Sequence, residues 1–141
     1  MGYTAEGNGT IKIKALEFCT TSQKNKVTRL LRNLNHDIEK VTDETILDMI
    51  GQYVDVVEVD ETHPEWKDVS VNAYGNYYDD DFTDLLNALK PILRKGTEIR
   101  FVGEDSYIWR YISRQDGAYV RDDGSIEDYW DLIDAVRNSN V

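Results

Sequence analysis

The hydrophobic period of this chain switches from helical to two-residue near Thr97, and that switch restricts the fold more than any other feature. Phe82, Leu85, Leu86, Leu89, Ile92 and Leu93 recur at helical spacing, so one stripe of a helix must be buried, and Gly96 supplies its stop. Beyond Thr97, Ile99 and Phe101 share one face of a strand. Gly103-Glu104-Asp105-Ser106 then makes a turn, and Tyr107, Trp109 and Tyr111 alternate with Ile108, Arg110 and Ile112. Consecutive strands with no crossover helix between them call for antiparallel pairing, with helices laid over one face.

The rest of the chain extends this pattern. Ile11 and Ile13 alternate with Lys12 and Lys14 in a short strand after a glycine-rich start, where Gly7-Asn8-Gly9 reads as flexible punctuation. Thr20, Thr21 and Ser22 offer caps for a helix carrying Val27, Leu30, Leu31, Leu34 and Ile38. Thr42 can cap a shorter one with Ile46, Met49 and Ile50, ending at Gly51. Tyr53 to Val59 is β-branched, and a loop with His63, Pro64 and Trp66 leads to a strand from Val69 to Tyr78. Asp79 or Asp80 caps the helix of the Leu stripe, and Pro91 should kink it late. Asp116-Gly117 signals a hairpin, followed by a short strand through Val120. Ile126, Tyr129, Trp130, Ile133 and Val136 give a closing helix, with Ser125 and Asp128 in a capping arrangement. The expected order is β-α-α-β-β-α-β-β-β-α. It describes a single α+β domain over 1–141, with a mainly antiparallel sheet of four to six strands covered by helices.

Charge narrows the function classes. The chain has a formal net charge of −11, and its distribution is uneven. Residues 1–32 hold six basic side chains and two acids, while residues 33–141 hold ten and 25. Such a field repels phosphate backbones and attracts cationic surfaces within about a Debye length. Direct nucleic-acid binding is disfavoured, and the expected partner is a basic protein surface. The plainer reading is that the acids only keep a small protein dispersed. One cysteine, Cys19, allows no internal disulfide, and His36 and His63 are too few for a zinc site. No apolar run approaches the roughly 20 residues that cross a bilayer, and MGYTAEGNGT lacks the regions of a secretion signal, so neither a membrane nor an exported location is expected. The expectation is a cytoplasmic protein.

Several constellations have both a chemical and a structural reading. Tyr77, Tyr78, Asp79, Asp80 and Asp81 form the densest acidic-aromatic cluster. It can hold a magnesium ion, present an acidic patch to a partner, or place a cap and extra acids at the positive end of a helix dipole. Asp122-Asp123-Gly124-Ser125-Ile126 has the outline of half a calcium loop. Tyr119, Arg121 and Trp130 then stand where ligands belong, so a hairpin-to-helix turn is preferred. Tyr107, Trp109 and Tyr111 either stack on a ligand or join the core. Lys24, Lys26, Arg29 and Arg32 make a basic helix face that contacts phosphate or is merely solvated. Cys19 has no evident His partner, and no phosphate loop or nucleophile elbow is present. No catalytic residue, metal ligand or cofactor is assigned.

Two parts of the chain resemble a known group. Met1-Gly2-Tyr3 followed by Gly9-Thr10-Ile11-Lys12-Ile13 is similar to the start of small proteins of bacteriophages and prophages. Asp84-Leu85-Leu86, the Gly103-Glu104-Asp105 turn and the strand around Trp109-Arg110-Tyr111 resemble their later part. The likeness covers about the first 15 residues and 82–123. It implies an α+β fold and a mobile-element setting, and it carries neither an activity nor a functional residue.

The function expected from these readings is non-enzymatic: an acidic protein that engages and inhibits a basic, nucleic-acid-binding host or defence protein. The contact residues would be Tyr77, Tyr78, Asp79, Asp80, Asp81, Asp84, Glu104, Asp105, Trp109, Asp122 and Asp123, with aromatics anchoring and carboxylates steering. The alternatives are a small-ligand or nucleotide-binding protein using the aromatic strand, and a metal-assisted phosphoesterase using Asp79 to Asp81.

Overall fold

Twelve residues from Tyr3 to Lys14 form the central strand, β1, well beyond the short stretch around Ile11 and Ile13 that periodicity marks. The glycine-rich start is strand because a side chain there would block its neighbour. A Cβ on Gly7 would lie 2.5 Å from the Phe101 ring, and one on Gly9 would lie 2.0 Å from the Glu98 carbonyl oxygen. Missing Cβ atoms let two backbones approach. The computed structural model describes residues 3–77 and 79–125, with nothing stated of the side chains of Tyr77, Asp79 and Ser125. The expected closing helix of Ile126 to Val136 therefore lies outside the described residues, as does Tyr78.

After β1 the chain makes a 3-10 turn, Leu16–Phe18, and enters α1 (Thr21–Leu34). Thr20 caps α1 reciprocally: Gln23 N–H donates to Thr20 Oγ1 at 3.1 Å, and Thr20 N–H donates to Gln23 Oε1 at 2.8 Å. Helix α2 (Asp43–Tyr53) starts on the Thr42 cap and runs two residues past Gly51. Strand β2 (Asp55–Asp60) pairs with β3 (Trp66–Tyr77) through a register shift between Val56 and Glu58. Helix α3 (Asp79–Leu89) gives way at Pro91 to a 3-10 turn, Lys90–Ile92, rather than bending and continuing. The order closes with β4 (Glu98–Gly103), β5 (Tyr107–Ile112) and β6 (Val120–Ser125). Val120 thus begins the last strand instead of ending it. Asp122 to Ser125 are extended in β6 and pair with Trp109 and its neighbours, so no hairpin-to-helix turn forms there.

The sheet is antiparallel throughout, in the order β2-β3-β1-β4-β5-β6. The α+β class and the element order over the described residues are those the periodicity predicts. Its pleat sends Ile11, Ile13, Val69, Val71, Ile99, Phe101, Trp109 and Tyr111 to one face, where all are buried. The helices press Val27, Leu31, Ile46, Met49, Ile50 and the stripe from Phe82 to Leu93 onto that face. At the centre, Phe82 meets Phe101 edge-on at 5.2 Å, and Phe101 stacks on Trp109 at 5.4 Å. The opposite face is largely polar on β1, β3 and β4, with Lys12 3.6 Å from Asp68 and Arg100 3.4 Å from Glu98. Among the described residues, no helix is long and apolar enough to cross a membrane.

Candidate partner-binding site

Antiparallel pairing brings four chain segments to one end of the sheet. β1 begins there, β3 ends there opposite Tyr3, β4 and β5 meet there in the Gly103–Ser106 turn, and β6 ends there at Ser125 opposite Tyr107. Because β3 and β4 flank β1, their ends lie about 10 Å apart. Helix α3 starts at this end, so Asp80, Asp81 and Asp84 stand in its first two turns, all exposed. Glu104 and Asp105 are exposed at the tip of the β4–β5 turn. Residues 3–6, 73–77, 79–84 and 103–107 contain no Lys or Arg. Carboxylates separated by about a Debye length reinforce one another's field.

Local bonds fix this arrangement. The Tyr3 hydroxyl donates to Asp105 Oδ1, and Tyr107 N–H donates to the same oxygen at 3.1 Å. These hydrogen bonds hold the Asp105 carboxyl below the ordinary carboxylate range, so it stays charged. Glu104 N–H donates to Thr4 carbonyl at 2.9 Å, and Ser106 N–H to Gly103 carbonyl at 3.0 Å, which closes the turn. Ser106 adopts φ 68° there. Burial, followed by the charges of Asp81 and Asp84, pushes the Tyr53 phenol above its usual value.

A cleft of about 260 Å³ opens beside this end, between the C-terminus of α2 and the outer edge of β3. Tyr53, Asp55 and Asp81 line it on one side, and Asn72, Tyr74 and Asn76 on the other, with Phe82 and Phe101 beneath. Tyr74 is 80% exposed. Among the described residues, none that lines it is a cation.

The other expected contact residues differ from these in their partners or their burial. Asp122 is held by two guanidinium groups, Arg110 Nε at 3.1 Å and Arg114 Nη2 at 3.0 Å. Asp123 pairs with Arg121 at 2.5 Å. These two acids are neutralised locally by arginines. Trp109 is 2% exposed in the core and cannot serve as a surface anchor. Tyr111 is 1% exposed, and of the aromatic strip only Tyr107, at 38%, reaches the surface. A ligand therefore finds no open aromatic face on β5. Tyr77 ends β3 opposite Tyr3, and Asp79 opens α3.

Sequence reasoning missed Tyr3, Tyr53, Asp55, Tyr74 and the two Asn residues of β3. Asp55 and Tyr74 are far apart in the chain and meet only because Asp55 pairs with Asn72. The alternation of Asn72, Tyr74 and Asn76 with Val71 and Ala73 was the available signal, since it marks a polar strand face. Compared with known proteins, the chain matches no family model, no curated protein and no solved structure.

Proposed function

We propose that this protein is a non-enzymatic acidic binding module that engages, and by occupying it inhibits, a basic, nucleic-acid-binding protein. The setting we propose is the cytoplasm of a bacterial host, with the protein supplied by a phage or other mobile element. The observation that carries this reading is the segregation of charge. Asp80, Asp81, Asp84, Glu104 and Asp105 share a sheet end whose segments hold no Lys or Arg, whereas Asp122 and Asp123 are paired with arginines. A partner that normally grips phosphates meets here carboxylates on rigid elements, with Tyr107 and Tyr74 beside them.

The test is capture of host proteins by the intact chain at about 0.05 M and about 0.5 M salt, beside the triple variant Asp80→Asn/Asp81→Asn/Glu104→Gln. Enrichment of nucleic-acid-binding proteins at low salt only, lost in the variant, is the expected result. Capture that is indifferent to salt and to the three substitutions removes charge recognition as the mechanism.

A further inference from the structure

β3 is longer than the strand that covers its outer side. β2 pairs with Asp68 to Asn72 only, because the chain enters β2 at Asp55, directly opposite Asn72. The five residues from Ala73 to Tyr77 remain paired with β1 on their inner side. Among the described residues, no strand pairs with their outer side. In an antiparallel strand, alternate residues turn N–H and C=O away from a given neighbour, so this run presents backbone donors and acceptors outward. The cleft beside Tyr53 leaves room along this edge, and on the face a Cβ built on Gly75 would meet nothing within 4 Å. β2 itself is protected by its bulge at Val56/Glu58 and its acids, whereas the run from Ala73 to Tyr77 holds no acid and departs from regular strand geometry only at Gly75, φ 108°.

We propose that this edge of β3 is a strand-addition site for an extended cationic segment of the partner, so that the incoming chain continues the line of β2 beyond Asp55. The proposal rests on the reading that the partner is basic, and it adds how the two backbones join. Backbone pairing over five residues would span about 17 Å and supply the register. Side chains of the added strand alternate between two environments. One set lies over Tyr53, where a Lys or Arg stem packs on the ring while its head reaches Asp81 or Asp55. The other set lies beside Asn72, Tyr74 and Asn76, where the exposed Tyr74 ring offers a face to a cation.

Charge selects this occupant over two others. A second copy would bring a net charge of −11 to a cleft without cations. The chain's own residues 126–141 carry four acids, Glu127, Asp128, Asp131 and Asp134, against Arg137 alone. Neither matches the field at Asp55 and Asp81.

The experiment uses the full chain and two synthetic peptides of about ten residues that alternate Lys with Val, identical except that the second is N-methylated at alternate amides. N-methylation removes backbone donors but keeps every charge. Fluorescence anisotropy at low salt should show the plain peptide binding at least 10-fold tighter than the methylated one. Hydrogen exchange at alternate amides of 73–77 should slow on adding the plain peptide. Equal binding of both peptides, with no protection of 73–77, overturns strand addition and leaves charge recognition standing. Failure of either peptide to bind at low salt counts against the charge reading itself. Protection of 73–77 in the free protein, rising with concentration, assigns the edge to a second copy. Protection of the outward-facing amides of 73–77 in the free protein, independent of concentration, assigns it to residues 126–141. Either of these last two results overturns the peptide as occupant.

Discussion

Arg110 Nη1 lies 2.6 Å from Glu98 Oε2, and the arginine that makes this contact is only 4% exposed in the middle of a β-strand. Its Nε also holds Asp122 at 3.1 Å, so one buried cation bridges carboxylates on the strands to either side, β4 and β6. Removing it leaves Glu98 to Arg100 and Asp122 to Arg114, cations that are far more exposed than Arg110. Arg110→Met should lower stability by about 2–3 kcal/mol, because the one buried partner of both acids is lost. Calorimetry should show a Tm decrease of roughly 6–12 °C. Arg110→Lys recovers part of this, since an ammonium lacks the fork that reaches both acids.

The same contacts predict an acid dependence. Burial works to raise the Asp122 carboxyl, but hydrogen bonds from Arg114 and Arg110 and their charges prevail and hold it below its ordinary value of 3.8. A group depressed in the folded state contributes stability that is complete above its unfolded value and is lost as pH falls through the folded one. Urea unfolding should therefore show the gap between wild type and Arg110→Met narrowing as pH drops from neutrality to below 3.8. A constant gap across that range would show that packing, not charge, accounts for the role of Arg110.

Tyr3 should ionise late. Burial first, then its hydrogen bond to Asp105, pushes its phenol up to about 12 from 10.0. The raised value favours the neutral phenol in the folded state, so its contribution is present below pH 10.0 and lost as pH rises through about 12. Ultraviolet titration should show a late-ionising component that disappears in Tyr3→Phe and moves down in Asp105→Asn. In Tyr3→Phe the Asp105 carboxyl should rise, because the first of the hydrogen bonds that depress it is gone.

Two glycines should respond to alanine with opposite signs. A Cβ at Gly9 would stand 2.0 Å from the Glu98 carbonyl oxygen and 2.6 Å from Ile99 Cα, which are backbone atoms that cannot swing aside. Gly9→Ala should cost at least about 3 kcal/mol, by forcing β4 away from β1. At Gly51, in α2, the nearest atom is Val56 Cγ2 at 4.0 Å. Gly51→Ala should stabilise by about 0.5–1 kcal/mol, as chain entropy is lost from the unfolded state with no clash in the folded one. Denaturant midpoints of the two variants against wild type decide this.

The helix stripe from Phe82 to Leu93 shows how much of the fold is legible locally. Each of its six apolar residues is buried, because spacing around a helix is fixed by geometry that neighbouring residues share. β1 was legible only at Ile11 and Ile13. Its first half looked like a loop since Gly7 and Gly9 are glycines for the sake of Phe101 and Glu98, about 90 residues away. Trp109 could be placed on a strand but not on a side of the molecule, as both faces of β5 carry large apolar residues. Of the contact residues, the acids beside Asp80 and Glu104 were identifiable by their density. Asp122 and Asp123 looked equally free, since no local rule places Arg110 and Arg114 against Asp122, or Arg121 against Asp123.

The amino-acid order alone determines the period of each segment, its caps and stops, and the surplus of carboxylates, because these follow from side-chain chemistry and from spacing within a few residues. Strand order and register decide the rest. They gather one group of acids on segments that hold no Lys or Arg, clamp another between arginines, bury Trp109, and leave the end of β3 longer than β2. The physical reason is that pairing joins residues tens of positions apart. The field around a carboxylate depends on which charges pairing brings within a few ångströms, whatever stands next to it in the chain.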